Sequence, residues 1–223
     1  MKYELAVVLL SGGIDSAVTA AIANTSYRLA IIHFNYGQRN QSEETKAVKK
    51  LVRHFKPEKY LEVDLKFLTE IGGSSLTDRS LEIPQTMPQK GEIPNTYVPF
   101  RNGIMLSISS AWAEVIGAKH IFTGVVEEDS SGYPDTREVF IRAIETAINL
   151  GRRPESKLTI HTPLIHMRKS AIILKGVELG VPFDATWSCY RGGAIACGTC
   201  PSCRLRKQAF FEAGVIDPIK YEK

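Results

Sequence analysis

A short glycine turn near the N-terminus constrains the fold of this chain more than any other stretch. Residues 11–16 read SGGIDS; they follow an apolar run from Leu5 to Leu10 and lead into the alanine-rich segment 17–23. This order predicts a strand, a tight turn and the start of a helix. Glycines let backbone N–H groups face a ligand, and a helix N-terminus adds unpaired donors and a partial positive charge. The stretch therefore predicts a phosphate site at the end of the first strand.

A simpler interpretation of the same residues is a turn with a helix cap, because Asp and Ser are common in both places. The position favours a ligand site, since open α/β sheets bind ligands at the carboxyl ends of their strands. The Walker pattern is absent, because no Lys follows the second glycine. The pattern that fits is Ser-Gly-Gly-x-Asp-Ser, which resembles the pyrophosphatase loop of enzymes that activate a carboxylate or an amide-like carbonyl as an adenylate.

The rest of the chain alternates predicted strands with predicted helices. Apolar runs predict further strands at about 29–34, 60–63, 120–125 and 158–164. Amphipathic patterns and capping residues predict helices at about 42–55, with Ser42 as the cap, 104–116, 137–150, 169–180 and from Pro201 onward. Such alternation is typical of a doubly wound, mainly parallel α/β sheet. The polar stretch 72–99 has the composition of a substrate lid, an oligomer contact or an ordinary surface loop.

All four cysteines lie in a short segment near the C-terminus, spaced Cys189-x7-Cys197-x2-Cys200-x2-Cys203. Four thiolates at this spacing suit a closed, tetrahedral zinc site with a structural role. An iron–sulfur cluster or a redox cysteine uses the same residue type, but nothing nearby indicates electron transfer. We therefore expect an ATP-binding α/β domain over residues 1–185 and a small helical zinc appendage over residues 186–223.

Composition excludes some classes of protein. Lys and Arg number 28 and Asp and Glu 24, a mild excess that does not indicate a dedicated nucleic-acid binder. The cysteine segment and the adjacent Arg204, Arg206 and Lys207 are the features that favour a zinc-knuckle protein acting on RNA. No apolar run approaches the ~20 residues that span a bilayer, and the N-terminus lacks the layout of a signal peptide. We expect a soluble cytoplasmic protein with no membrane and no stable nucleic-acid partner.

Taken together, the motifs are more specific than any one of them. Their order is the one seen in 7-cyano-7-deazaguanine synthases, which are PP-loop ATP pyrophosphatases with an adenine nucleotide alpha hydrolase-like fold. The motifs are residues 11–16, 36–39, 98–102, 129–137 and 186–190, the remaining cysteines and the closing 217–221. The chain resembles this family over essentially its full length.

The resemblance implies an activity and a set of site residues. The activity is ATP-dependent conversion of 7-carboxy-7-deazaguanine and ammonia into the nitrile on the route to queuosine and archaeosine, by a carbon–nitrogen ligase that is commonly a homodimer. The ATP loop would comprise Leu10, Ser11, Gly12, Gly13, Ile14, Asp15, Ser16, Ala17, Val18, Thr19 and Ala20, with Ser11, Asp15 and Ser16 catalytic. Asp15 is a candidate partner of Mg²⁺, and the four cysteines would bind Zn²⁺. Substrate residues would be Gln38, Arg39, Arg101, Asn102, Tyr133, Asp135 and Arg137.

Two positions depart from the family pattern. Asn40 stands where the family commonly has His, and Thr136 stands where it commonly has Cys. If either residue touches the substrate, the acceptor or the nucleophile has changed. An enzyme that couples the activated acid to another amine, such as one on a protein, is therefore the alternative.

Overall fold

A five-stranded parallel sheet forms the centre of the molecule, in a computed structural model that describes residues 3–86, 92–127 and 132–222. The strand order is β3-β2-β1-β4-β5, and each neighbouring pair is parallel. The strands are β1 Leu5–Leu9, β2 Arg28–Asn35, β3 Lys59–Asp64, β4 His120–Phe122 and β5 Thr159–His161. The predicted doubly wound parallel α/β sheet is confirmed.

β1 lies in the middle of the sheet, between β2 and β4. The chain adds β2 and β3 on one side of β1 and then adds β4 and β5 on its other side. Val7 pairs with Ala30 of β2 on one side and with Ile121 of β4 on the other. Open sheets of this kind bind ligands at such a switch point, because neighbouring loops leave in opposite directions there. The glycine loop that follows β1 therefore lies where open α/β sheets usually bind a ligand.

Helices cover both faces of the sheet, which explains why its central strands are apolar throughout rather than alternating. Seven α-helices occur in the described residues: α1 Ile14–Asn24, α2 Gln41–Phe55, α3 Phe67–Ile71, α4 Arg101–Ile116, α5 Glu138–Gly151, α6 Lys169–Glu178 and α7 Pro201–Glu212. Single 3₁₀ turns lie at Pro134–Thr136, Pro154–Ser156 and Phe183–Ala185. Within this part of the chain, no helix has both the length and the apolar character needed to cross a membrane.

Alternate residues of β1 separate the two cores, as the two-residue period of a strand requires. Ala6 and Val8 face a core that includes α1 and α6, whereas Val7 faces a core that includes α4 and α5. α7 joins the first core through Phe210, whose ring meets that of Phe183 edge to face. The C-terminal segment is thus packed on the sheet domain, and the boundary after residue 185 stays a prediction.

The structure differs from the expected elements in three ways. α2 begins at Gln41 after the N-cap Asn40, and not after Ser42. α3 was not expected, because its five residues are too few for a helical period to show. β4 and β5 have three residues each and are shorter than the expected strands, since the chain leaves the sheet after Phe122 and after His161.

Residues 87–91 of the stretch 72–99 and residues 129–131 of the motif 129–137 lie outside the described residues.

Candidate active site

The glycine loop holds a strained turn that only glycine accommodates well. Gly12 has a φ of +89°, and a Cβ at this position would lie 2.9 Å from the main-chain oxygen of Glu44. The hydroxyls of Ser11 and Ser16 lie 3.0 Å apart, and Ser16 also donates to the carbonyl of Gly13 at 3.0 Å. α1 begins directly after Gly13. The loop thus presents serine hydroxyls and unpaired helical N–H groups together, which is the arrangement of an anion site.

Two distant segments hold this loop in place. Trp187 donates its backbone N–H to the carbonyl of Gly12 at 2.9 Å. Gly124, in the loop after β4, packs so closely that a Cβ there would lie 2.9 Å from the main-chain oxygen of Asp15. Sequence reasoning did not select Gly124, because its contact joins segments more than 100 residues apart. The only local signal was a glycine at the end of a predicted strand.

Asp15 is paired with a lysine that the motifs do not contain. Lys169, the first residue of α6, places its Nζ 2.5 Å from Oδ2 of Asp15. Oδ1 of Asp15 is buried and has no hydrogen-bond partner among the described residues. A carboxylate oxygen left over in this way suits a hard cation or a hydroxyl group. Lys169 adds positive charge where a phosphate would be bound.

A cavity of about 300 Å³ opens beside the loop. One wall, here called the loop half, includes Ser11, Gly13, Asp15, Ser16, Gly124 and Lys169. A second group of lining residues from other segments, here called the far half, includes Tyr36, Asn40, Glu44, Arg101, Tyr133 and Tyr190. The predicted catalytic residues therefore line the same cavity as three of the predicted substrate residues, Arg101, Asn102 and Tyr133.

Arg101 is the cation of the far half. It begins α4, donates through Nη1 to the hydroxyl of Tyr36 at 2.8 Å, and its guanidinium lies 5.2 Å from the centre of that ring. Burial raises the pKa of Tyr36 to about 12, so its hydroxyl stays protonated at neutral pH. The hydrogen-bond partner of Arg101 is therefore neutral, while the carboxyl groups of Asp135 and Glu44 attract the guanidinium without an ion pair to it, so its donors can also bind an incoming anion.

The 3₁₀ turn Pro134–Thr136 contacts the N-terminus of α4. Asp135 is buried and accepts the backbone N–H of Asn102 at 2.8 Å, which satisfies one free donor at the start of α4. Tyr133 donates its hydroxyl to Thr96 Oγ1 at 2.8 Å and exposes part of its ring to the cavity. Asp135 thus orients the helix that carries Arg101.

Four predicted substrate residues do not form the cavity wall: Asp135, which bonds the start of α4, and Gln38, Arg39 and Arg137. Gln38 lies behind the far half and bonds Tyr36 and Glu44 through its side-chain amide. The guanidinium of Arg39 donates to main-chain carbonyls of the loop 75–81. Arg137 is exposed and bonds the carbonyl of Pro134. Gln38 and Arg39 fix the shape of the site, and substrate contact by any of the four stays a prediction.

Both departures from the family pattern line the cavity. Asn40 donates through Nδ2 to Glu44 Oε1 at 3.1 Å and to the carbonyl of Cys189 at 2.9 Å. Thr136 donates its hydroxyl to the carbonyl of Tyr133 at 2.9 Å. Sequence reasoning missed Glu44, which lies one residue after another glutamate at the start of a helix and so resembles a helix-capping acid.

The four cysteines form a compact group, as their spacing predicts. Their sulfur atoms lie within 4.8 Å of one another, and all four residues are buried and free of disulfides. Sulfur atoms of a tetrahedral site with Zn–S bonds of about 2.3 Å lie about 3.8 Å apart, and Cys197 and Cys203 place theirs 4.0 Å apart. The donor set fits a closed metal site. It is joined to the cavity wall through Cys189, whose carbonyl accepts from Asn40 and from the indole of Trp187.

Arg206 belongs to the interior and not to a basic surface. It is 1% exposed and forms a two-point ion pair with Asp217, both N···O distances being 2.9 Å. It also donates to Thr186 Oγ1 at 2.8 Å. Arg206 therefore does not support the alternative of a protein that acts on RNA, because its charge is used inside the fold.

Comparison with known proteins gives consistent matches over the whole chain. The family model described as "Queuosine biosynthesis protein QueC" matches residues 5–214. A 7-cyano-7-deazaguanine synthase of Chlorobium phaeobacteroides is 53% identical over 219 residues, which are 98% of this chain and 97% of the relative. A synthase of the same description from Sulfurovum sp. is 50% identical over 219 residues, or 98% of each chain. A solved structure from Methanocaldococcus jannaschii, described as a predicted subunit of tRNA methyltransferase, matches with a TM-score of 0.50 at 13% identity over 99% of this chain and 93% of that chain, and it shows the fold alone.

Proposed function

Because the chain belongs to the family of queuosine biosynthesis protein QueC, we propose that it catalyses ATP-dependent conversion of 7-carboxy-7-deazaguanine and ammonia into 7-cyano-7-deazaguanine. The carboxylate is first activated by ATP, and ammonia displaces the activating group to give an amide. A second activation of the amide oxygen then removes water to give the nitrile. The enzyme is a carbon–nitrogen ligase that supplies a precursor of queuosine.

The observation that carries this proposal is that one cavity is lined both by the glycine loop and by Arg101 with its aromatic neighbours. In the loop half, backbone N–H groups at the start of α1 and the side chains of Ser11 and Ser16 would bind the phosphates of ATP. Lys169 would neutralise charge that develops on the leaving pyrophosphate. Asp15 would hold Mg²⁺ through its unpartnered oxygen, and the ion supplies Lewis-acid neutralisation of the phosphates.

In the far half, Arg101 would bind the carboxylate of the substrate and turn it toward the loop. Tyr133 and Tyr190 offer aromatic faces against which a flat deazapurine packs. A base that fills the cavity would exclude water from it, which strengthens the charge pairing with Arg101. The four cysteines would hold Zn²⁺. The ion would crosslink the C-terminal segment and take no part in the reaction.

The two alternative functions are not favoured. Relatives described as the synthase share about half of all residues with this chain over nearly their full length. This similarity favours the synthase reaction over coupling to another amine, even though Asn40 and Thr136 line the cavity. A direct action on RNA loses one of its three supporting cations, because Arg206 is buried. We further propose that the protein is a homodimer, which the family resemblance implies and which sedimentation of the purified protein would test. We also propose a cytoplasmic location.

The test is product analysis. Purified protein is incubated with 7-carboxy-7-deazaguanine, Mg²⁺-ATP and ammonium. The products are separated by chromatography and identified by mass spectrometry. Amide and nitrile are expected, with AMP and pyrophosphate as the nucleotide products. A folded, metal-loaded sample that forms neither amide nor nitrile would refute the proposal.

A further inference from the structure

Glu44 is a carboxylate that spans the two halves of the cavity. It lies in the first turns of α2, and its main-chain oxygen packs against Gly12 of the glycine loop. Its side chain points to the far half, where Oε2 accepts from Gln38 Nε2 at 2.7 Å and Oε1 accepts from Asn40 Nδ2 at 3.1 Å. Each oxygen has further acceptor capacity, because a carboxylate oxygen accepts about two hydrogen bonds.

The bonding partners of Glu44 differ from those of the other carboxylate in the cavity wall. Among the described residues, Asp15 and Glu44 are the two acids that line the cavity. Asp15 is paired with Lys169, whereas the hydrogen bonds of Glu44 come from two neutral amides. Burial raises the pKa of Glu44, although Gln38, Arg101 and Asn40 oppose the shift. The hydrogen-bond partners of Glu44 are thus neutral amides in a confined space, and such a carboxyl group suits contact with a small cation and uptake of its proton.

The proposed reaction requires such a group. Ammonia in neutral solution is mostly ammonium, which has no lone pair and cannot attack a carbonyl carbon. An enzyme that uses it must bind the cation and remove one proton beside the activated acid. Lys169 and Arg101 carry positive charge and are unsuited to either task. Glu44 is the carboxylate of the wall that remains.

We infer that Glu44 binds ammonium and accepts its proton, so that it acts as the general base for the nitrogen nucleophile of the proposed reaction. An N–H bond of ammonium breaks and its proton moves to a carboxylate oxygen of Glu44. The lone pair left on nitrogen forms the new C–N bond, the C–O bond to the activating phosphate breaks, and its electron pair leaves with the phosphate. The amine adduct passes a second proton to the departing phosphate, which leaves the neutral amide. Gln38 and Asn40 position the carboxylate from either side.

The test compares two nucleophiles in the variant Glu44→Gln, which keeps the size of the side chain and removes the charge. Ammonium needs a base, whereas hydroxylamine is mostly uncharged at neutral pH and attacks without one. With ammonium, kcat/KM of the variant is expected to fall by about 10²-fold. With hydroxylamine, the rate of hydroxamate formation is expected to stay within about threefold of the unsubstituted protein. Glu44→Asp should recover part of the activity with ammonium, and Glu70→Gln, which removes an exposed acid from α3, should change neither rate.

The outcomes separate this inference from the proposed function on which it rests. If the unsubstituted protein forms neither amide nor hydroxamate, the proposed function fails and the inference fails with it. If it forms both and Glu44→Gln loses both equally, Glu44 has a structural role and the inference is wrong. A rise in KM for the deazaguanine acid with either nucleophile would instead assign Glu44 to recognition of the base, which also contradicts the inference. Unchanged amide formation by the variant would contradict it directly.

Discussion

The two halves of the cavity are built in different ways. The loop half comes mostly from consecutive residues, 11–16, and relies on backbone groups, a positive φ and the start of α1. The far half is assembled from side chains of separate segments, and it is joined through Asn40 to the metal-binding segment near the C-terminus. Backbone sites depend on local sequence, whereas side-chain sites depend on the packing of the whole chain. Substitutions that affect one half and spare the other would test this distinction.

The largest effect is expected from breaking the ion pair that holds the C-terminal segment in place. Arg206→Met leaves Asp217 with no cation, and loss of one partner of a buried ion pair costs about 3–5 kcal/mol of unfolding free energy. Chemical denaturation of the purified proteins would measure it. Arg204→Met is the matched control, because Arg204 is exposed on the same helix, and it should change stability by less than about 0.5 kcal/mol. Equal stability of the two variants would show that the buried pair does not hold this segment.

A large effect confined to the loop half is expected from Gly12→Ala. The added Cβ would meet the main chain of Glu44 at 2.9 Å, and a φ of +89° is strained for alanine. Displacement of the loop by about 1 Å should lower kcat/KM for ATP by about 10²-fold. Gly151→Ala is the control, since Gly151 has an ordinary φ and a Cβ there would meet nothing within 4 Å. Steady-state kinetics with varied ATP would measure the change, and a variant with normal ATP kinetics would contradict the assigned role of the loop.

The sequence predicted what is local. Buried parallel strands are continuous apolar runs, so β1 and β2 were found, and the cysteine group was found because three of its members lie within seven residues. Glu44 and Lys169 were missed because they enter the site from helices whose own patterns are ordinary. Arg39 shows the reverse case: it stands in a recognised motif, but its guanidinium bonds main-chain carbonyls about 40 residues further along the chain. Tertiary packing determines such side-chain partners, so the spacing of residues in the sequence does not predict them.

A moderate effect confined to the far half is expected from Arg101→Lys. Lysine keeps the charge but loses the planar pair of donors that a carboxylate accepts, so KM for 7-carboxy-7-deazaguanine should rise about tenfold. KM for ATP should stay unchanged, because the side chain of Arg101 bonds Tyr36 and not the glycine loop. Kinetics with each substrate varied in turn would measure both values. An equal rise in both KM values would show that the two halves do not bind their ligands independently.

The smallest effect is expected from Arg137→Ala, and this prediction sets the motif against the geometry. The family resemblance places Arg137 among the substrate residues, yet its side chain is exposed and bonds the carbonyl of Pro134. An exposed arginine bound to a neighbouring carbonyl contributes little to stability, and its removal should shift kcat/KM by less than about twofold. The comparison with Arg101→Lys, measured in the same assay, separates residues that line the cavity from residues that only share a motif with it. A loss as large as that of Arg101→Lys would mean that Arg137 turns inward when substrate binds, and the far half would then include the whole turn 133–137.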